Sequence, residues 1–224
     1  MQITFGPIWK QSQPDAAVGI LVMQNVKNPP SHPALEARKA QVEQDIRQKY
    51  SGFERADLRS LDTLSAYDRF YRQFKKTYHL QLQLESIISG KPIPSVSALV
   101  EAMFMAELED QLLTAGHDLD RVQPPIEIEL AAGDETYTRM NGKPQTLKRG
   151  DLYIRDNKGI LSSIIYGPDK RSRIQPDTQN AIFTTYAVAG IDRAALYAHL
   201  EKLQEYVLLV SPEASTQRLE VFDV

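Results

Sequence analysis

The sequence predicts an α+β fold: a mostly antiparallel sheet core with flanking helices. Three observations carry this. Helical periodicity fills most of the first half of the chain, after one β-branched run. Short alternating or β-branched runs, separated by tight-turn signals, fill residues 126–188. A further helical stretch then follows. Segregated helices and strands of this kind argue for α+β and against an alternating βαβ order.

In chain order, Ala16 to Val26 is β-branched and ends in the turn-like Lys27-Asn-Pro-Pro-Ser-His-Pro, so it reads as a buried strand. Pro33 opens a helix to about Tyr50, with Leu35, Val42 and Ile46 on one face and Glu43 four residues before Arg47. A second helix runs from Asp62 or Thr63 to about Thr77, with a buried stripe of Tyr67, Phe70, Tyr71 and Phe74. Leu82 to Ile88 is a short helix ended by Ser89-Gly90, and Lys91-Pro-Ile-Pro connects it to a long helix from about Ser97 to Leu113. Leu99, Met103, Ala106 and Leu113 are the inward candidates of that long helix.

After Pro124-Pro125, Ile126-Glu-Ile-Glu-Leu alternates as a half-exposed strand does. Asn141-Gly142 and Asp156-Asn-Lys-Gly159 are tight turns among strand candidates at 136–140, 151–155, 160–166 and 181–188. A helix capped by Asp192 runs to about Tyr206. The expected organisation is an N-terminal strand and helical part (1–94), a module (95–210) on which it packs, and a C-terminal tail (211–224).

Composition excludes several classes of function. The net charge of −3 gives no general pull toward nucleic acid, so any RNA site has to be a local basic patch. With no cysteine there are no disulfides, no thiolate chemistry and no cysteine-ligated zinc. The four histidines are scattered without ligand spacing, so no metal and no cofactor are expected. No basic-then-apolar start and no run near the ~20 apolar residues of a membrane span are visible, which predicts a cytoplasmic protein without membrane contact. Nothing in the sequence fixes an oligomeric state.

The common enzyme signatures are missing: no Gly-rich phosphate loop, no Gly-x-Ser-x-Gly elbow, no His-Glu-x-x-His. Two constellations stand out. In Tyr67–Lys76 basic and aromatic residues interleave, with Arg69, Arg72 and Lys76 on one helical face. That is either a phosphate-binding stripe or an amphipathic helix with solvated cations and core aromatics. Gly167-Pro-Asp-Lys-Arg-Ser-Arg-Ile174 places Lys170, Arg171 and Arg173 in one loop between strands, which reads as a binding loop or as a solvated hairpin.

From Ser95 onward the chain resembles a known family. Leu99-Val-Glu-Ala, Gln111-Leu-Leu-Thr-Ala-Gly-His-Asp-Leu-Asp-Arg-Val122, Gly150-Asp-Leu-Tyr-Ile-Arg-Asp-Asn-Lys-Gly159 and Thr178-Gln-Asn-Ala-Ile-Phe183 follow one another in that order. The set is similar to the module formed by the third and fourth domains of the bacterial phenylalanyl-tRNA synthetase β chain. It is still more similar to stand-alone proteins made of that module, in which a segment like Tyr71-Arg-Gln-Phe74 precedes it. The resemblance spans roughly residues 95–190 and is looser over 15–90.

The resemblance implies a tRNA or aminoacyl-tRNA partner and, as an activity, hydrolysis of an amino acid wrongly attached to tRNA. Such a site has to hold an activated ester, position a water and stabilise an oxyanion. Carried over by position, the family's pocket histidine falls at Thr114, with His117 one turn of chain later as a substitute. The family's glutamate falls near Thr184 to Tyr186, where this chain has no acid, and its glycine pair is reduced to Gly167-Pro168. The expected site is therefore Thr114 and His117 as catalytic groups, with Tyr166, Gly167, Thr184 and Tyr186 lining the pocket. Lys170, Arg171, Arg173, Arg69 and Arg72 would bind RNA. Beside His117, Gly116 and Asp118 suggest a turn. A non-catalytic RNA-binding module and an amino-acid sensor are the alternatives on the same fold.

Overall fold

The computed structural model describes residues 2–7, 9 and 16–223. Two sheets form its centre. One has the order β11-β2-β10-β3, built from β2 (Ala17–Gln24), β3 (Thr114–Asp118), β10 (Asn180–Ala187) and β11 (Ser215–Asp223). The other has the order β1-β4-β7-β8-β9, built from β1 (Ile3–Phe5), β4 (Ile126–Leu130), β7 (Leu152–Asp156), β8 (Gly159–Ser163) and β9 (Gly167–Pro168). A hairpin, β5 (Thr136–Thr138) with β6 (Pro144–Thr146), stands beside them. Among the described strand pairs all are antiparallel except β1 with β4. The fold is α+β with mostly antiparallel sheets, as the sequence predicts.

The β2 run is buried along almost its whole length because it is the inner strand, with β10 in register on one side and β11 on the other. Residues 215–223, placed by sequence in a tail, thus pair with the N-terminal strand. Helix α6 (Arg193–Val210) crosses β2 at Gly19, where a Cβ would come within 3.0 Å of Leu200 and 3.2 Å of Leu196. A side chain there would require those leucines to give by a few tenths of an ångström. As expected, the Asp192 side chain caps α6 by accepting from the Ala194 amide.

Helix α1 (Pro33–Lys49) begins at its proline and buries Leu35, Val42 and Ile46. Its Lys39 is also buried, 2.6 Å from Glu101 of α5 (Ala98–Asp110). After the short α2 (Arg55–Ser60), α3 (Asp62–Arg72) buries Tyr67, Phe70 and Tyr71, and Phe74 is buried just beyond it. The expected helix to Thr77 stops at Arg72 because Lys75 takes a positive φ of 57° and the Lys76 amide closes back on the Tyr71 carbonyl. In the same way α5 stops at Asp110 rather than at Leu113, since Gln111 is left-handed at φ 59°. The short helix expected over 82–88 is α4 (His79–Ile88).

Two segments differ in character from their sequence patterns. Thr114 to Asp118, read as a turn around His117, is a fully buried strand, because β10 pairs with it across five residues. Ile126 to Leu130 is a strand as expected, but only Glu127 in it is even partly exposed.

Candidate functional site

The loop 169–173 is held at both edges. The Asp169 amide donates to the Leu161 carbonyl at 2.7 Å, Lys170 to Thr138 at 2.9 Å, and on the other side Asp118 donates to Ser172 at 2.7 Å. The loop thereby forms one wall of a cleft of about 580 Å³. The facing walls are Thr136–Thr138 of β5, the β7–β8 turn at Lys158–Ile160, and the Arg121 and Gln175 segments. Five basic residues line it: Arg121, Lys158, Lys170, Arg171 and Arg173. Lys170, Arg171 and Arg173 were expected together. Lys158 and Arg121 carry no comparable sequence signal, although Lys158 sits in the Asp156-Asn-Lys-Gly159 turn.

These cations are not equivalent. Arg171 forks onto both oxygens of Asp156 at 3.0 and 2.9 Å, donates to the Arg121 carbonyl at 2.7 Å and lies 3.5 Å from Asp169. Arg121 is 3.2 Å from Asp118 and 3.9 Å from Asp177. Among the described residues no carboxylate forms an ion pair with Lys158, Lys170 or Arg173. The Arg173 guanidinium donates to the Lys170 carbonyl at 2.7 Å within the loop, and Arg173 lines the cleft.

Behind the loop lies a buried polar chain. Asp169 accepts from the Ser172 amide at 2.9 Å and from the Ser172 hydroxyl. Ser172 Oγ is 2.8 Å from His117 Nδ1, His117 Nε2 is 3.3 Å from Ser162 Oγ, and Ser162 Oγ is 2.6 Å from the Tyr186 hydroxyl. His117 is wholly buried, and burial together with the charge of Arg171 holds its pKa down at about 3, so it is neutral. Thr184 is also buried, and its hydroxyl has no hydrogen-bond partner among the described residues.

Thr114 belongs to a different constellation. Strand alternation turns it to the face of β3 opposite His117. There its Oγ1 is 2.9 Å from Thr185 Oγ1 and 2.8 Å from His199 Nε2, and His199 Nδ1 is 3.1 Å from Asp110. Lys202 donates to the other oxygen of that carboxylate. The two expected catalytic groups therefore do not converge.

Tyr166 is half-buried with Lys76 Nζ 5.4 Å from its ring centre, and the Gly167 carbonyl accepts from the Tyr137 hydroxyl at 2.7 Å. Arg69 and Arg72 are exposed on α3, bonded to Ser65 at 3.0 Å and to Asp68 at 2.7 Å, and neither lines the cleft. The aromatics between them are core: Tyr67 stacks on Tyr78 at 4.4 Å, and Tyr71 donates to the Ile164 carbonyl at 2.7 Å. They present no face to a nucleobase.

Residues 64–208, more than half of the chain, match the B3/4 domain family. The chain belongs to the B3/4 domain family. β2 and β11 lie outside the matched stretch, yet they complete the sheet that carries β3 and β10. The B3/4 domain described here is 34% identical over 67 residues to the phenylalanine–tRNA ligase beta subunit of Mycoplasma genitalium, a stretch covering 30% of this chain and 8% of that protein. It is 30% identical over 67 residues to the same subunit of Mycoplasma pneumoniae, again 8% of its length. The crystal structure of an N-terminal fragment of the phenylalanyl-tRNA synthetase beta-subunit from Pyrococcus horikoshii superposes on 97% of this chain and 54% of its own, with a TM-score of 0.49 and 11% identity. Over the 67 matched residues the chain is a relative of the curated beta subunits, and it spans only about 8% of their length. No helix among the described residues is long and apolar enough to cross a membrane. Among the described residues no group of three or more histidines and carboxylates is placed to hold a metal ion.

Proposed function

We propose that this B3/4 domain is an RNA-associated protein that holds the phosphates of a tRNA or aminoacyl-tRNA in the basic cleft. The observation that carries the reading is the convergence of Lys158, Lys170 and Arg173 on one cleft with no carboxylate among the described residues paired to them. In a chain of net charge −3, such a cluster stands against the overall electrostatic trend. Phosphate affinity follows local clustering and not the total charge. Kinship with a tRNA ligase subunit supports tRNA as the RNA in question. Binding of unfractionated tRNA, followed by fluorescence anisotropy across a salt series, tests this. Affinity should fall steeply with salt and weaken when Lys158, Lys170 and Arg173 are changed together to alanine. Binding indifferent to salt rejects the reading.

A second reading, a free-standing aminoacyl-tRNA deacylase, is favoured by one arrangement. Thr114, His199 and Asp110 form a hydroxyl–imidazole–carboxylate chain of the type that activates a hydroxyl or a water. Thr114 and His199 are buried, so hydrolysis at this place requires α6 to part from β3. His117 then serves as a neutral hydrogen-bonding group behind the cleft. A panel of mischarged tRNAs discriminates: a deacylase releases amino acid from at least one faster than buffer, and His199→Ala abolishes the release.

A further inference from the structure

We infer that Asp156, a carboxylate, is the positioning residue of the anion-binding cleft, and that Arg171 acts through it and is not itself a phosphate ligand. The inference rests on the reading of the cleft as an RNA site. Three separate chain segments carry the cations that face it: the Arg121 segment, the turn with Lys158, and the loop 169–173. Asp156 is bonded to all three. It accepts from the Gln123 amide at 2.7 Å, from the Lys158 and Gly159 amides at 2.8 and 3.1 Å, and from the Arg171 fork. Its side chain is fully enclosed.

Every donor around Asp156 addresses the charged carboxylate. Burial works against that charge, but Arg171 and the backbone amides outweigh it and hold the pKa below the ordinary carboxylate value. A planar guanidinium is required, because only a fork engages both oxygens while a further N–H reaches the Arg121 carbonyl. With its donors committed in this way, Arg171 braces the wall on which Lys170 and Arg173 are mounted.

The roles separate by sign. On net charge alone, removing a negative group beside a cationic cleft strengthens anion binding. Acting as a positioning residue, Asp156 predicts the reverse. Asp156→Asn should weaken binding of unfractionated tRNA by about five-fold or more. Arg171→Lys keeps the charge and loses the fork, and should weaken it comparably. Amide hydrogen exchange provides a readout independent of RNA. In both variants the amides of Lys158 and Gly159 and those of Lys170 to Arg173 should exchange faster together, while β2 and β10 stay protected.

Unchanged exchange in these segments, or Asp156→Asn binding tRNA as tightly as or more tightly than the parent, overturns the assignment. Should the parent protein itself fail to bind tRNA, the RNA reading of the cleft falls, and the exchange data still decide whether Asp156 joins the three segments. If Asp156→Asn does not fold, Arg171→Lys decides by the same two measurements.

Discussion

His117 Nδ1 lies 2.8 Å from the hydroxyl of Ser172, which joins the middle of a buried strand to the wall of the basic cleft. The imidazole is neutral there, with its pKa down at about 3. An unfolded histidine titrates near 6.5, so below that value the unfolded chain binds a proton that the folded one refuses. The stability tied to His117 is whole above about pH 6.5 and is lost as pH falls toward about 3. It should amount to a few kcal/mol. Urea unfolding at pH 7, 6, 5 and 4 should show a loss that His117→Gln reduces. Equal slopes in parent and variant would show that His117 contributes nothing to acid sensitivity.

Glu107 has the opposite sign. It is buried beneath β3, where one oxygen accepts from the Thr114 amide at 2.7 Å, and burial raises its pKa to about 8. The folded state therefore keeps a proton that the unfolded chain, titrating near 4.3, has released. This contribution is complete below about pH 4.3 and is lost as pH rises to about 8. Glu107→Gln keeps a carbonyl for the Thr114 amide and has nothing to ionise. It should be more stable than the parent at pH 8 by a few kcal/mol, with the difference shrinking toward pH 5. Chemical denaturation at the two pH values measures it.

Much of the scaffold was legible because its signals are local. Pro33 marks the start of α1, and the Tyr67–Phe74 spacing marks a buried face. β3 was not legible. Thr-Ala-Gly-His-Asp has weak strand propensity, and its conformation comes from β10, whose partner residues lie more than sixty positions further on. The cleft was half legible for the same reason. Lys170, Arg171 and Arg173 look alike in sequence, but Arg171 is distinguished by Asp156, fifteen residues earlier and on another strand. Lys158 and Arg121 enter only when the fold brings three segments together.

The buried pair Lys39–Glu101 joins α1 to α5 at 2.6 Å, and Glu101 also accepts from the Val96 amide at 2.8 Å. Removing Lys39 strands the Glu101 charge out of water, whereas removing Glu101 leaves Lys39 bonded to Glu36 at 2.9 Å and to Ser95 at 3.0 Å. Lys39→Met should cost about 3 kcal/mol, and Glu101→Ala less, because Lys39 keeps Glu36 and the loss falls chiefly on the orphaned Val96 amide. Thermal or urea unfolding checks both. A loss below ~1 kcal/mol in Lys39→Met would mean that the vacated charge is neutralised or hydrated.

The cations of the cleft and those of α3 make separable predictions. Each residue that contacts a phosphate releases about 0.7 to 0.9 counterions on binding, so its loss lowers the slope of log affinity against log salt by about that much. Lys158→Ala, Lys170→Ala and Arg173→Ala should each reduce the slope by nearly one, because each lines the cleft with no paired carboxylate among the described residues. Arg72 is bound to Asp68 and Arg69 to Ser65, and both lie outside the cleft. The double change of Arg69 and Arg72 to alanine should leave the slope unaltered within error, although it removes twice the charge of any single cleft variant. Net charge alone would rank the α3 double variant as the most damaging. The cleft geometry ranks it as the least, and one salt titration across the four variants decides between the two orders.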